Sequence, residues 1–294
     1  MGEGGLLGEE AHLLRAELER LEETIGGHHA LRVIQQMEEF DRVMLWYAQN
    51  AAEVLRTIEA LNHGGLGTRL AMQGEVPFGD DQRDFITELG RTWHNWVAVA
   101  NTFADHMREQ FKEQPADLQE EYEQKKRIML DPHDVVAFVS RSRNVLLHRG
   151  VFNTGITWRF TQTNQTFEAD CQTDILLNRY ESWWGAGARR YIESKAPRLN
   201  LGTAVEEHAE VITPLYEWYE KRVYEYHHPL MADFERTAAG IREIQERLEP
   251  GSVPPHDESA HFTSPAEREQ ARQRPSPPPR KPRRKPKGKK RRKR

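Results

Sequence analysis

Residues 33–61, VIQQMEEFDRVMLWYAQNAAEVLRTIEAL, decide the fold class of this chain. Their apolar residues recur in alternating steps of four and three, which places them along one side of a long helix. The loop sequence Asn62-His63-Gly64-Gly65 ends the pattern. We therefore predict a long amphipathic helix whose inward positions are Val33, Met37, Phe40, Met44, Tyr47, Ala51, Val54, Ile58 and Leu61.

Two further stripes repeat this rhythm and predict two more long helices. One stripe runs from Ile86 to Met107, and the other runs from Val205 to Leu230. Pro214 falls inside the second stripe, so we expect a kink or a restart there. Between about 155 and 173 the apolar period changes to two, which is typical of a β-hairpin. The sequence thus predicts an all-α, up-down helix bundle with a small inserted β-hairpin.

The composition divides the chain into three parts. Residues 1–27 carry a brief apolar stripe at helical spacing, which predicts a short amphipathic helix appended to the N-terminus. Residues 28–250 hold the long stripes and form the helical domain. Residues 251–294 are rich in Pro, Ser, Gln and charge, and they contain too few apolar residues to offset the entropy of ordering. We therefore predict that this C-terminal tail is disordered.

Charge is distributed very unevenly along the sequence. Residues 280–294 carry 12 Lys and Arg and no acidic residue, so the rest of the chain holds 30 basic against 46 acidic residues, a net charge of −16. The overall net charge of −4 hides this contrast between an acidic body and a basic end. A dense run of positive charge is typical of segments that contact nucleic acid.

Several protein classes are excluded by simple features. No stretch approaches the roughly 18–20 apolar residues of a membrane helix, and the N-terminus lacks the basic and apolar regions of a secretion signal. Cys171 is the only cysteine, which excludes an intramolecular disulfide framework. We therefore expect a cytoplasmic protein without a membrane partner.

The helix predicted at about 132–148 carries an unusual polar end. Asp131-Pro132 supplies an N-cap followed by proline at the first helical position. At about 100° per residue, Asn144 and His148 stand opposite the apolar face, and Arg143 lies roughly 140° around from His148. The apolar face, which we expect to be buried, comprises Val135, Phe138, Val139, Ser142 and Leu146.

The segment Arg143-Asn144-Val145-Leu146-Leu147-His148 resembles the signature of the HEPN superfamily, an Arg followed after four to six residues by a His. Asn144 fits the polar residue that is typical directly after the Arg. The resemblance covers about residues 30–235. The order of elements there, with long helices, this motif, a β-hairpin and then helices rich in Trp and Tyr, is similar to that of a bacterial HEPN-like group without assigned function. It implies a dimerising α-helical bundle with metal-independent ribonuclease activity, at a composite site where the Arg and His of two protomers meet. It also suggests roles in phage defence or toxin–antitoxin systems.

The chemistry of the three motif residues suits such a reaction. Metal-free RNA cleavage needs a base for the 2′-OH proton and an acid for the leaving 5′-oxygen, and a histidine that titrates near neutral pH can serve as either. Arg143 offers a permanently charged fork for phosphate oxygens. Asn144 would orient the imidazole or the phosphate. Arg143, Asn144 and His148 are therefore the candidate catalytic residues.

A structural explanation of the motif stands beside the catalytic one. Helix C-termini attract Arg and His because these residues cap the last carbonyls and interact favourably with the helix dipole. On this view Arg141, Arg143 and Arg149 form a solvated basic cluster. Arg141 and Arg149 are, on the catalytic view, candidate contacts to nucleic acid.

The basic tail is the second candidate for binding nucleic acid. Its density of charge suits phosphate backbones, with an affinity that falls steeply with salt, and its lack of aromatic residues predicts no sequence preference. The alternatives are a solubility tail or an intramolecular partner of the acidic body. The candidate contacts are Arg280, Lys281, Arg283, Arg284, Lys285, Lys287, Lys289, Lys290, Arg291, Arg292, Lys293 and Arg294.

Two hypotheses follow, and neither needs a metal or another cofactor. The adjacent pairs His28-His29 and His227-His228 chelate poorly, because neighbouring helical residues point about 100° apart. The tryptophan pairs Trp93/Trp96 and Trp183/Trp184 are expected in the core or at a dimer contact. The first hypothesis is a homodimeric, metal-independent endoribonuclease acting on RNA. The second is a non-catalytic helical interaction module that its basic tail holds to nucleic acid.

Overall fold

The computed structural model describes residues 3–63, 65–72, 80–150, 152, 154–160 and 165–249. These residues are mainly helical and include a small antiparallel sheet, which confirms the predicted helical fold. The tail 251–294, predicted to be disordered, lies outside the described residues. In chain order the helices are α1 (Glu3–Gly26), α2 (His29–Glu59), α3 (Leu66–Met72), α4 (Asp80–Lys112), α5 (Ala116–Met129), α6 (Asp134–Arg149), α7 (Thr173–Arg179), α8 (Ala186–Ser194) and α9 (Leu201–Leu248).

Helices α2 and α4 pack antiparallel through the stripes that the sequence predicts. Seven of the nine predicted positions of the first stripe are buried, and Met44 and Ile58 are partly buried at its edge. Ion pairs towards the two ends of the contact show the antiparallel direction, because Arg32 pairs with Glu113 and Arg91 pairs with Glu53. Burial of these stripes is what holds two helices of this length together.

Two hydrophobic clusters form the core, and α9 contributes to both. The first contains Trp93 and Trp96 of α4, whose rings lie 4.9 Å apart between centroids. One polar group buried beside it is His208 of α9, whose Nδ1 shares a 2.8 Å hydrogen bond with the Tyr47 hydroxyl. The second cluster centres on Phe40, which stacks with Phe103 of α4 and meets Tyr219 of α9 edge-to-face.

Helix α9 is 48 residues long, so it extends over about 72 Å. The Asn200 side chain caps its start by accepting a 3.0 Å hydrogen bond from the Thr203 backbone N–H. The helix continues through Pro214 and Pro229, so of the two alternatives expected at Pro214, a kink or a restart, the restart does not occur. Each proline removes one backbone hydrogen bond, and burial of the helix in both clusters compensates for that loss.

Helix α1 and the last part of α9, residues 232–248, form a two-helix arm. Arg247 pairs with Glu10 at 2.8 Å, so the start of α1 lies beside the end of α9. The α1 helix has 24 residues and is longer than the short helix that its stripe predicts. None of its described side chains belongs to either hydrophobic cluster.

The sheet has the order β1-β2-β3 and is antiparallel throughout, with β1 at Thr154–Phe160, β2 at Gln165–Gln172 and β3 at Arg198–Asn200. The first two strands confirm the predicted hairpin, in which Ile156 lies opposite Ala169. Strand β3 was not predicted, because three residues are too few to display a period of two. Cys171 is fully enclosed, and burial raises the pKa of its thiol to about 12.

Helix α3 approaches the sheet so closely that only glycine fits at position 67. A Cβ atom on Gly67 would lie 2.4 Å from Cδ2 of Phe167 and 2.5 Å from the Leu61 carbonyl oxygen. Both distances are far below van der Waals contact. The side chain of Asn62 reinforces the same junction, because its amide oxygen accepts a 2.8 Å hydrogen bond from the backbone N–H of Phe167.

Candidate functional site

Helix α6 packs against the core with the apolar face that the sequence predicts. It begins at Asp134, two residues later than predicted, because Asp131 and Pro132 form a turn. It ends at Gly150, whose φ of 86° suits glycine and stops the helix. All five residues of the predicted apolar face are buried, namely Val135, Phe138, Val139, Ser142 and Leu146.

His148 stands on the last turn of α6 with its imidazole stacked on the indole of Trp183. The two ring centroids are 5.1 Å apart and the ring planes differ by 24°. The side chain is exposed. Among the described residues, neither imidazole nitrogen has a hydrogen-bond partner. The ring is thus held by its face, and neither nitrogen is occupied by a hydrogen bond from the described part of the chain.

Arg143 points away from His148, towards α4. Its Nη1 atom lies 3.6 Å from Oδ2 of Asp105, and both side chains are about half exposed, at 48% and 49%. Asp105 also pairs with Arg108 on its own helix. Since His148 packs beside the turn that precedes α8, one chain does not bring these two predicted catalytic groups together.

Asn144 and Arg141 share the face of His148. Asn144 lies one turn before His148, and Arg141 lies about two turns before it and about 20° around the axis. Arg141 is exposed, and its guanidinium lies beside Gly185. A Cβ atom placed on that glycine would be 3.5 Å from Nε of Arg141. Within one chain, Arg141 therefore lies on the same side as His148, and Arg143 does not.

Arg149 completes a cluster at the end of α6. Its guanidinium carbon lies 5.8 Å from the centroid of the Trp183 ring, within the range of a cation–π interaction. His148 and Arg149 therefore contact the same indole. We call this group the α6 cluster, and its members are Arg141, Asn144, His148, Arg149 and Trp183.

Trp183 is the member of the α6 cluster that the sequence analysis assigned to the core or to a dimer contact and not to the site. Trp183 lies between two short helices, because α7 and α8 are separated by a 3₁₀ turn at Glu181–Trp183 and by Gly185. Trp184 is buried as predicted, and its Nε1 donates a 2.8 Å hydrogen bond to the Leu176 carbonyl. Trp183, in contrast, lies at the edge of the core. Gly185, two residues after Trp183, is the signal in the sequence that indicates a helix break here.

Some of the predicted binding groups fall outside the described residues. This applies to all of the basic residues that were named in 280–294. In the part of the chain that is described, no three His, Cys, Asp or Glu side chains are grouped so that they could hold a metal ion. No helix in that part is both long and apolar enough to cross a membrane.

Comparisons with known proteins assign no role to the residues of this site. No protein-family model matches the chain, and neither the curated proteins nor the solved structures contain a significant match to it.

Proposed function

We propose that this protein is a metal-independent endoribonuclease of the HEPN type that acts as a homodimer in the cytoplasm. The observation that carries the proposal is the state of His148. It is exposed at the end of α6, both ring nitrogens are open among the described residues, and arginines flank it. An imidazole in this setting can exchange protons with a ribose hydroxyl or a leaving oxygen.

The neighbouring groups supply the remaining chemistry. Arg141 and Arg149 offer planar, permanently charged guanidinium groups that bind phosphate oxygens. Asn144 lies one helical turn from His148 on the same face and would orient either the ring or the phosphate. Guanidinium groups that contact the phosphorane would stabilise the negative charge that develops in the transition state.

The divergence of Arg143 and His148 within one chain supports a site shared between two chains. Arg143 contacts α4, and His148 contacts Trp183, so one phosphodiester cannot lie against both side chains of a single chain as they stand. A two-fold dimer formed at this end of α6 would place Arg143 of one protomer near His148 of its partner. Two histidines in one site would also allow one to act as base and the other as acid.

The test of this function is RNA cleavage in the presence of a chelator. Wild-type protein is expected to cleave single-stranded RNA in EDTA, and His148→Ala should lower the rate by on the order of a hundredfold or more. His63→Ala is the matched control, because that histidine is 72% exposed in the loop that follows α2 and should leave the rate unchanged. Equal cleavage by wild type and His148→Ala would reject the proposal.

A mixing experiment tests the shared site. His148→Ala and Arg143→Ala chains are each expected to be inactive alone. If an Arg of one chain and a His of the other suffice for a site, the mixture should recover about a quarter of wild-type activity. Half of the dimers are then mixed dimers, and each mixed dimer holds one intact site out of two. If the mixture stays inactive, mixing wild type with His148→Ala decides between the two remaining cases. Activity falls with the square of the wild-type fraction if a shared site requires both histidines, and in proportion to that fraction if each site lies within one chain.

A second candidate function is a non-catalytic helical interaction module that its basic tail holds to nucleic acid. The observation that favours it is the ion pair between Arg143 and Asp105, which occupies a predicted catalytic group with a carboxylate. This function predicts binding that is sensitive to salt and blind to sequence, with no RNA turnover. It also predicts that a chain ending at Glu249 no longer binds.

A further inference from the structure

We propose that Trp183 is the positioning residue for His148, and that its indole fixes the plane of the imidazole at the end of α6. This inference rests on the proposed ribonuclease function. It is carried by the stacked contact of the two rings, with centroids 5.1 Å apart and planes within 24°. Among the described residues, no hydrogen bond holds the imidazole from either nitrogen.

An exposed histidine on the last turn of a helix would otherwise sample several rotamers. Such freedom would slow the reaction, because a general acid or base must be placed accurately against the atom with which it exchanges a proton. Histidines are usually oriented by a carboxylate or a carbonyl on one ring nitrogen. Stacking orients the ring without using a nitrogen, so both nitrogens stay available for proton transfer.

Trp183 is itself held firmly enough to act as a platform. Its backbone N–H donates a 2.9 Å hydrogen bond to the Tyr180 carbonyl within the 3₁₀ turn. Tyr180, at the start of this turn, and Trp184, directly after Trp183, are buried in the first hydrophobic cluster. Arg149 adds a cation–π contact to the same indole. The platform is therefore tied to the core, whereas the ring that it supports is exposed.

Two substitutions separate stacking from simple loss of bulk. Trp183→Phe keeps an aromatic face beneath His148, and Trp183→Leu removes it while keeping an apolar side chain. Trp46→Leu is the matched control, because Trp46 is 47% exposed on α2 and belongs to no part of the site. Cooperative thermal unfolding of each variant verifies that the bundle is intact.

The first measurement is proton NMR of His148. In the wild type, nuclear Overhauser effects should join the imidazole and Trp183 indole protons, and the ring current should shift the imidazole signals upfield. The shift should persist in Trp183→Phe and vanish in Trp183→Leu. Absence of these effects in the wild type would overturn the inference without any variant, even if Trp183→Leu failed to fold.

The second measurement is the RNA cleavage rate. Trp183→Leu should lower kcat by on the order of ten- to a hundredfold with little change in KM, because substrate still binds while the acid–base group is misplaced. Trp183→Phe should restore most of kcat, and Trp46→Leu should match the wild type. Full kcat in Trp183→Leu overturns the positioning role. A wild type that cleaves no RNA instead rejects the ribonuclease function, and the NMR result then reports on the stacking alone.

Discussion

Arg143 and His148 lie five residues apart on one helix, yet their side chains contact different neighbours. Arg143 reaches Asp105 of α4 at 3.6 Å, and His148 stacks on Trp183 at 5.1 Å. This separation determines how the motif can work. Any reaction that uses both groups on one phosphate needs either a second chain or a rearrangement of Arg143.

Asp105 holds Arg143 only weakly, so the negative charge of Asp105 can be removed without damage to the fold. The pair is half exposed, and we expect Asp105→Asn to change the free energy of unfolding by less than about 0.5 kcal/mol. RNA affinity should rise about two- to fivefold, because a carboxylate beside the phosphate contact disappears. Fluorescence anisotropy with labelled RNA measures the affinity. Glu109→Gln removes one charge from the same helix, and an equal gain there would attribute the effect to net charge alone.

Leu147 is an exposed apolar residue beside His148, with 58% of its surface accessible. If the proposed dimer forms at this end of α6, Leu147 is covered by the partner chain. Leu147→Asp should therefore give monomers in sedimentation velocity experiments and abolish RNA cleavage. Ile128→Asp is the control, since Ile128 is 61% exposed on α5 and should leave the dimer intact. A Leu147→Asp protein that sediments like the wild type would place the interface elsewhere.

His208 predicts an acid-sensitive stability. Burial lowers the pKa of its imidazole to about 3, whereas the unfolded chain binds a proton near pH 6.5. Its contribution to stability is therefore complete above about pH 6.5 and is lost progressively as the pH falls towards 3, by on the order of 3 kcal/mol at pH 4. Urea unfolding from pH 7 to pH 4 measures this slope. His208→Gln should flatten the slope, and the exposed His63→Gln should keep it.

The basic tail predicts a strong dependence of RNA binding on salt. A chain truncated after Glu249 loses all 12 cationic residues of 280–294. The slope of log affinity against log salt should become shallower by up to about 8 for single-stranded RNA. Anisotropy titrations at several salt concentrations measure it. A tail of the same length with glutamine at the basic positions should behave like the truncation, and unchanged slopes would favour a solubility tail.

Gly67 marks a contact that has no room for a side chain. The methyl group of Gly67→Ala would meet Phe167 and the Leu61 carbonyl at about 2.5 Å, so α3 must move away from the sheet. We expect a loss of about 1–3 kcal/mol in the free energy of unfolding. Gly8→Ala meets nothing within 4 Å and should be neutral or stabilising, because alanine favours the helix. Urea melts of both variants check the contrast.

The fold was predictable wherever apolar spacing is long enough to define a period. The stripe from Val33 to Leu61 located α2, and the alternation around Ile156 located the hairpin. Strand β3 was not predictable in this way, because three residues are too few to define a period. For the site, helical geometry correctly separated Arg143 from His148. Spacing along one helix cannot reveal Asp105 or Trp183, since both belong to other elements.

The arm has a consequence for how the molecule opens. Because α1 contributes no described residue to either hydrophobic cluster, it can detach from α9 while the remainder of the protein stays folded. Amide protons of residues 8–26 should then exchange with deuterium well before those of α2 and α4, at rates set by this local opening. The N-terminal helix would behave as a separate, less protected foldon.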